Sequence, residues 1–324
     1  MSTARHLPLV TGATGFAGSH LLDRLLQSHG RLAAWGHAGG RPVPDAGTTA
    51  DVNESTRILW AAIDILDRQA VERAIGELQP TLIFHLAGLP HVAEAWKNSG
   101  RALQVNALGT HHLLGAVEKV APQCKVVVAG SALVYRPSLS ALREDDPLAP
   151  ADPYGVSKLA QEMVSERAAA PVVRTRPFNH AGPRQSESFV TSSFAKQIAE
   201  IEAGAREPKL LVGNLEARRD IMDVRDTARA YVALGEKGVP GRVYNICSGT
   251  AHRVGDLLER LLGLARVRVA VEQDPARLRP SDNPVVLGDA ARLTADTAWR
   301  PEIPIETTLA DLLAWWRTRI AAAR

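Results

Sequence analysis

The chain has 324 residues, 45% of them hydrophobic and 23% charged, with a formal net charge of +3 at pH 7. This is the composition of an ordinary folded protein, long enough to bury a large core in one big domain or two closely joined ones, and it excludes a disordered chain. Acids and bases are interleaved without a Lys/Arg block of the kind that tracks a nucleic-acid backbone, and no run of about 18 apolar residues occurs, so neither a nucleic-acid partner nor a membrane span is expected.

Met1 to His6 lacks the long apolar segment of a signal peptide, which points to a cytoplasmic protein. Next comes Leu9-Val10-Thr11-Gly12-Ala13-Thr14-Gly15-Phe16-Ala17-Gly18, an apolar run that breaks into three glycines spaced three apart. A strand that ends in such a loop and restarts as a helix, predicted over Ser19 to Gln27 with Leu21, Leu22, Leu25 and Leu26 as its apolar stripe, aims unpaired backbone N–H groups at one point. That point suits a phosphate. Gly12 would permit the tight turn, Gly15 the approach of a pyrophosphate and Gly18 the close packing of helix on strand. The spacing has one residue more between the first two glycines than the GxGxxG dinucleotide fingerprint.

Short apolar runs then alternate with amphipathic stretches: Leu32 to Trp35, Ile58 to Ile63, Leu82 to Leu86, Val126 to Val128 and Val172 to Val173. Strands alternating with helices predict a parallel sheet covered on both faces. Pro8 resists, because proline removes a ladder hydrogen bond; either the first strand is short or it starts at Leu9. Residues 37–57, rich in Gly, Pro, Thr and Asp, read as a long mobile loop. Cys124 and Cys247 lie beside apolar runs with no CxxC or Cys/His spacing, so reduced core cysteines are expected and no metal. After about residue 175 the alternation becomes irregular, with a helix near Ser193 to Glu202 and charged loops at 213–226 and 272–284. This predicts a second, smaller α/β lobe over 176–324 on a dinucleotide-binding unit of residues 1–175. The chain would return to the first unit near 220–247, with a helix over Asp223 to Glu236 and a strand over Arg242 to Ile246. Trp315-Trp316 would cover the sheet.

Tyr154 and Lys158 are four apart, so on a helix they share a face. An ammonium beside a phenol favours the phenolate and moves the tyrosine toward the range useful for proton transfer. Ser131 closes the strand Lys125 to Gly130, where a parallel sheet presents ligand groups, and could hold a reacting oxygen against Tyr154. His85, inside an apolar strand, reads as a satisfied core histidine.

With Tyr154-Gly155-Val156-Ser157-Lys158 added to the glycine loop, the sequence resembles the extended short-chain dehydrogenase/reductases, the nucleotide-sugar epimerases, dehydratases and reductases. The resemblance covers nearly the whole chain and includes Ile63-Asp64-Ile65, His85-Leu86-Ala87-Gly88, Asn106-Ala107-Leu108-Gly109-Thr110 and Arg176-Pro177-Phe178-Asn179-His180-Ala181-Gly182-Pro183. Gly213-Asn214-Leu215-Glu216-Ala217-Arg218-Arg219-Asp220 and Arg279-Pro280-Ser281-Asp282 look like the GDP-sugar branch. The resemblance implies a Rossmann-type doubly wound sheet, catalysis by Ser131, Tyr154 and Lys158, and a nicotinamide dinucleotide on Gly12, Thr14, Gly15, Phe16, Ala17, Gly18, Arg41, Asp64, Ile65, Leu86, Ala87, Gly88, Tyr154 and Lys158. It implies a GDP-sugar near His91, Asn179, Val190, Lys196, Arg219, Arg279 and Asp282, with His180 bordering the sugar. Asp64 would meet the adenine amino group and Asn106 would bend a helix near the site. A homodimer through the helix Ser99 to Val120 and the Tyr154 helix is also implied.

No acid follows Leu32-Ala33-Ala34-Trp35-Gly36-His37 to take the ribose hydroxyls, and Arg41 is near for a 2′-phosphate, so NADP(H) is expected over NAD(H). Arg219 and Arg279 carry guanidinium forks suited to a diphosphate, the alternative being that Arg218 and Arg219 merely pair with Asp220 and Asp223. In the related dehydratases an acid follows the strand-end Ser/Thr, directly or one residue on, and serves the elimination. Here Ala132 and Leu133 stand there. The expected reaction is therefore reduction of the C4 ketone of GDP-4-keto-6-deoxy-D-mannose to GDP-D-rhamnose; the alternatives are a nucleotide-sugar 4-epimerase or a GDP-mannose 4,6-dehydratase.

Overall fold

A computed structural model describes residues 7–36, 57–277 and 283–323. The chain runs β1 (Pro8–Thr11), α1 (Phe16–Leu26), β2 (Leu32–Gly36), β3 (Ile58–Ala62), α2 (Arg68–Leu78) and β4 (Leu82–His85), then α3 (Val92–Lys97), α4 (Ser99–Leu103) and α5 (Gly109–Val120). β5 (Lys125–Ala129), α6 (Pro153–Glu166) and β6 (Val172–Pro177) follow. The later chain adds β7 (Asn179–Ala181), α7 (Val190–Glu202), β8 (Lys209–Val212), β9 (Arg218–Asp223), α8 (Val224–Lys237) and β10 (Val243–Ile246). It ends with β11 (Ala251–Arg253), α9 (Val254–Gly263), β12 (Ala270–Gln273), β13 (Val285–Val286), α10 (Ala291–Thr297) and α11 (Ile305–Ala322).

Seven parallel strands form the central sheet in the order β10-β6-β5-β4-β1-β2-β3. The order reverses between β1 and β4, and in open α/β sheets the crevice beyond such a reversal holds the ligand. Leu21, Leu22, Leu25 and Tyr231 pack from α1 and α8 on one face, and Val71, Ile75, Leu113 and Val117 from α2 and α5 on the other. This is the doubly wound arrangement the alternation predicts. β10 pairs with β6 in this sheet and α8 packs against α1. Pro8 is the first residue of a four-residue strand paired with Leu82, so the central strand is short and its proline sits where a missing donor is least costly.

The second core gathers Phe194, Ile198, Leu210, Ile221, Leu257, Leu261, Leu309 and Leu313. Beside it β7, β11 and β13 pair with β9, and β8 pairs with β12.

Five expectations are corrected. α1 starts at Phe16, directly after the loop, because Gly15 already serves as its N-cap. The span 213–226 is not a loop: 218–223 is strand β9, whose alternation is masked in sequence by Asp220 and Asp223, acids buried with dedicated partners. Likewise 272–284 contains the end of β12 and a short 3-10 turn at Pro275–Arg277 before residues outside the described set. The predicted helix Ser99 to Val120 is α4 and α5 joined through a π turn, Gln104–Leu108. Trp316 covers helix α7 rather than the sheet, its indole N–H donating to Ser192 Oγ at 2.9 Å. The expected mobile loop at 37–57 lies outside the described residues apart from Arg57. Cys124 and Cys247 are buried and free.

Candidate active site

The glycine loop is built as its composition demands. Gly12 has φ +69°, a left-handed conformation that favours glycine, and a Cβ there would lie 2.6 Å from the Ala87 nitrogen. A Cβ on Gly18 would lie 2.2 Å from the Gly12 carbonyl oxygen, so helix and loop touch through glycine alone. Gly15 donates to that same carbonyl at 3.0 Å, and no side chain caps α1. The first N–H groups of an 11-residue helix are thus left facing the crevice at the β1/β4 reversal. Leu86 and Ala87 are tied to β1 through the Thr11 carbonyl (3.1 Å) and hydroxyl (3.3 Å). Asp64 and Ile65 follow β3 on the same sheet edge; Asp64 is exposed and accepts from Leu66 N at 2.9 Å. This cradle fits a dinucleotide pyrophosphate.

Across the crevice, Ser131 follows β5 and α6 delivers Tyr154 and Lys158. The helix starts where it does because Asp152 caps it, accepting from Gly155 N at 2.8 Å, and Pro153 supplies a preset φ at its first turn. Ser131, Tyr154 and Lys158 are all nearly buried. The Lys158 ammonium sits 6.0 Å from the centre of the Tyr154 ring and donates to the Ala129 carbonyl and Gln161 Oε1, each at 2.9 Å. Ser131 Oγ accepts from Leu133 N at 3.1 Å, which folds Ala132–Val134 into a 3-10 turn.

The electrostatics differ from the expected phenolate. Burial pushes the Tyr154 hydroxyl up to about 12, against the lowering effect of Ser131. Burial also pushes the Lys158 amine down to about 7. Lys158 is engaged by Ala129 and Gln161, and desolvation outweighs its help to the phenolate. At neutral pH the tyrosine is therefore a proton donor.

Asn106 lies at the centre of the π turn, fully buried. Its side chain accepts from Leu89 N at 2.8 Å and donates to Ser157 Oγ at 2.8 Å, pinning the β4 loop to α6. His85 is a satisfied core histidine, bonded to Thr11 Oγ1 at 2.7 Å and Thr110 Oγ1 at 2.9 Å.

On the far wall the expected sugar-nucleotide residues are less concentrated. Asn179 is exposed, with a 3.4 Å bond to the Asp220 carbonyl, and Val190, also exposed, opens α7. His91 caps α3 and meets the segment before α7, its Nδ1 3.3 Å from Ser188 Oγ and its ring 5.2 Å from Phe189. Lys196 is paired with Glu187 at 2.9 Å, which engages the charge expected to serve a phosphate. Arg219 donates to the Asn283 carbonyl at 2.7 Å and the Arg218 carbonyl at 2.9 Å. The alternative pairing of the arginines with Asp220 and Asp223 does not occur: Asp220 accepts from Ser248, Gly249 and Gly288, and Asp223 from Arg225 and Thr308. His180 stacks on Phe16, the first residue of α1, at 5.6 Å and is bonded to the Phe178 carbonyl. Arg41, Arg279 and Asp282 lie outside the described residues. Gln161 and Thr110 are site-supporting residues that sequence reasoning missed, although Tyr154, Lys158 and Gln161 form an i, i+4, i+7 stripe that could have found the first of them.

A family model described as GDP-mannose 4,6 dehydratase matches residues 9–312. The chain belongs to that family. It is an NAD(P)-dependent enzyme of the extended short-chain dehydrogenase/reductase class. It is similar to a GDP-6-deoxy-D-mannose reductase of Pseudomonas aeruginosa, 36% identical over 96% of this chain and 97% of the relative. A solved structure of RMD from Pseudomonas aeruginosa complexed with NADPH superposes with a TM-score of 0.82 at 34% identity, covering 97% of this chain and 99% of that one. A UDP-glucose 4-epimerase of Bacillus subtilis is 26% identical over 96% of this chain and 97% of its own length. Among the described residues no helix is long and apolar enough to cross a membrane, and no cluster of His, Cys, Asp or Glu could hold a metal ion.

Proposed function

We propose that this enzyme reduces the C4 ketone of GDP-4-keto-6-deoxy-D-mannose to GDP-D-rhamnose, with NADP(H) preferred. The carrying observation is the turn after Ser131. Eliminating water across C5–C6 needs an acid/base side chain there, and the structure has Ala132, buried, and Leu133, whose carbonyl backs onto Gly155. Missing general acid/base catalysis typically costs about 10²–10⁴ in rate. Reduction needs none at that place. The identity to the reductase of Pseudomonas aeruginosa supports the same reading.

In this reading residues 1–175, with α8 and β10, hold the dinucleotide, and the rest of 176–324 holds the sugar nucleotide. Bound dihydronicotinamide supplies the hydride. Ser131 Oγ donates a hydrogen bond to the ketone oxygen, and the Tyr154 hydroxyl, protonated at neutral pH, delivers the proton to that oxygen as negative charge develops. Lys158 places positive charge behind the phenol. Asn179, Lys196 and Arg219, with Arg279 and Asp282, are assigned to the GDP moiety, the lysine exchanging Glu187 for a phosphate oxygen. NADP(H) is favoured because β2 ends at Gly36 with no acid following.

The test supplies GDP-4-keto-6-deoxy-D-mannose with NADPH or NADH and follows the reduced nicotinamide band. Stoichiometric oxidation with NADPH preferred is expected, with the Arg41→Ala variant raising the KM for NADPH and not for NADH. No oxidation with either cofactor, or conversion of GDP-mannose to the 4-keto sugar by this enzyme alone, would overturn the assignment. A 4-epimerase, which shares Ser131, Tyr154 and Lys158, would instead interconvert sugar nucleotides with no net consumption of cofactor.

A further inference from the structure

Behind Lys158 runs a series of buried polar side chains whose protons each have one possible place. Lys158 can only donate to Gln161 Oε1, so the Gln161 amide nitrogen faces Thr110 Oγ1, at 2.9 Å. The single Thr110 hydroxyl proton goes to the Asn106 carbonyl, which can only accept, at 2.6 Å. Thr110 Oγ1 must then accept from His85 as well, at 2.9 Å, which puts the His85 proton on Nε2 and makes Nδ1 the acceptor for the Thr11 hydroxyl at 2.7 Å. Thr11, His85, Thr110 and Gln161 are all essentially inaccessible to solvent. The series ends in strand β1, one residue before the glycine loop.

We propose that Gln161 is a positioning residue for the reaction: its side-chain carbonyl, anchored through Thr110 and His85, aims the Lys158 amino group into the crevice without adding charge to it. This rests on the reading of Lys158 as part of the acid/base group. A lysine carries a flexible four-carbon stem, and the Ala129 carbonyl and Gln161 Oε1 fix two of the three tetrahedral N–H directions and hence the third. On the side of the β4 loop Gly88 passes close enough that a Cβ would lie 3.3 Å from Nζ, so only a residue without a side chain leaves the amine room there. An amide also passes no proton onward. The series is an anchor, and the ionisation of Lys158 is set by its immediate surroundings. Those are Tyr154 on its own helix, His85 on β4, the Ala129 carbonyl on β5, Asn106 in the π turn and Thr110 on α5; among the described residues no carboxylate is paired with the amine. A neutral partner at Gln161 keeps the buried amine near the low value that burial imposes, and a carboxylate of the same shape would not.

The deciding experiment measures kcat and KM against pH for the full-length enzyme with 4-keto sugar nucleotide and NADPH, in wild type, Gln161→Glu, Gln161→Met and Lys158→Met. Gln161→Glu keeps the shape and the acceptor, and its alkaline limb of kcat should move up by about one to three pH units, the usual effect of an opposite charge in contact. Gln161→Met, which loses the acceptor, should lower kcat about ten- to a hundredfold with little change in KM, the expected result of a misaimed catalytic group. An unmoved alkaline limb in Gln161→Glu overturns the inference, as does a wild-type kcat in Gln161→Met. Lys158→Met separates the two readings: if it retains wild-type turnover, the assignment of Lys158 itself fails, whereas if it is inactive while both Gln161 variants match wild type, only the role of Gln161 fails.

Discussion

Tyr154 is held protonated by burial at about 12 while Ser131 pulls the other way, and a proton donor is what the reductive direction requires. Tyr154→Phe should therefore cost about 10²–10⁴ in kcat with KM little changed, measured as nicotinamide oxidation under saturating substrate. A loss of less than tenfold would remove the tyrosine from the acid role. His85 gives a stability prediction of definite sign. Burial and the Lys158 charge hold its imidazole at about 3, against about 6.5 in an unfolded chain. Between those values the unfolded chain binds a proton that the folded protein refuses, so stability is undiminished above the upper value and is lost as pH falls toward the lower one. The loss is on the order of 5 kcal/mol, with His20 and His180, whose imidazoles desolvation also holds low, adding in the same direction. Denaturant midpoints measured across this window should fall steeply in wild type and less so in His85→Gln, which keeps a donor and an acceptor but does not titrate.

Element by element, the glycine loop is the stretch with the least tolerance. Gly18→Ala would drive a methyl group into the Gly12 carbonyl at 2.2 Å, so α1 must move away from the loop and its N–H groups with it. NADPH affinity, read by fluorescence titration, should fall at least about tenfold, more than the loss of one ordinary hydrogen bond to a charged group. The loop, the seven-stranded sheet and the Tyr154 helix were legible in sequence because local chemistry writes them: glycine at forced turns, apolar runs at strands, Tyr154 and Lys158 four apart on one helix face. What was not legible needed a partner distant in sequence. The π turn that interrupts 99–120 carries no Pro or Gly at its centre and exists because Asn106 reaches Leu89 and Ser157. β9 was hidden because a buried Asp220, satisfied by Ser248, Gly249 and Gly288, looks in sequence like a surface acid. Lys196 pairs with Glu187 and His180 stacks on Phe16 in the folded chain, contacts that no local sequence pattern announces.

For the whole molecule, the expected dimer has a surface to use. Trp96 (59% exposed), Leu103, Leu108, Val156 and Met163 (54% exposed) lie on α3, α4, the π turn and α6, which pack against one another beside the candidate active site. Scattered apolar residues need no explanation, but five large ones on adjacent elements are where we propose that a second copy would pack. Sedimentation equilibrium should give twice the chain mass, and Val156→Asp combined with Met163→Glu should give the monomer; a wild-type monomer at micromolar concentration would sink the dimer. A different consequence follows from the place of β10. β6 joins the sheet through β5, and its other edge is covered only by residues 243–246, made long after it. While the ribosome synthesises the intervening segment, six strands can assemble with β6 as a raw margin open to any passing chain. Its sequence, Val172-Val173-Arg174-Thr175-Arg176-Pro177, carries two arginines and a terminal proline, residues that discourage such pairing on edge strands. Arg176 later finds Glu162 at 2.5 Å and Arg174 finds Glu166 at 3.0 Å. The same charges that are neutralised in the finished protein would guard the nascent one, and replacing Arg174 with valine should raise the fraction lost to aggregates during synthesis more than it changes the stability of the purified enzyme.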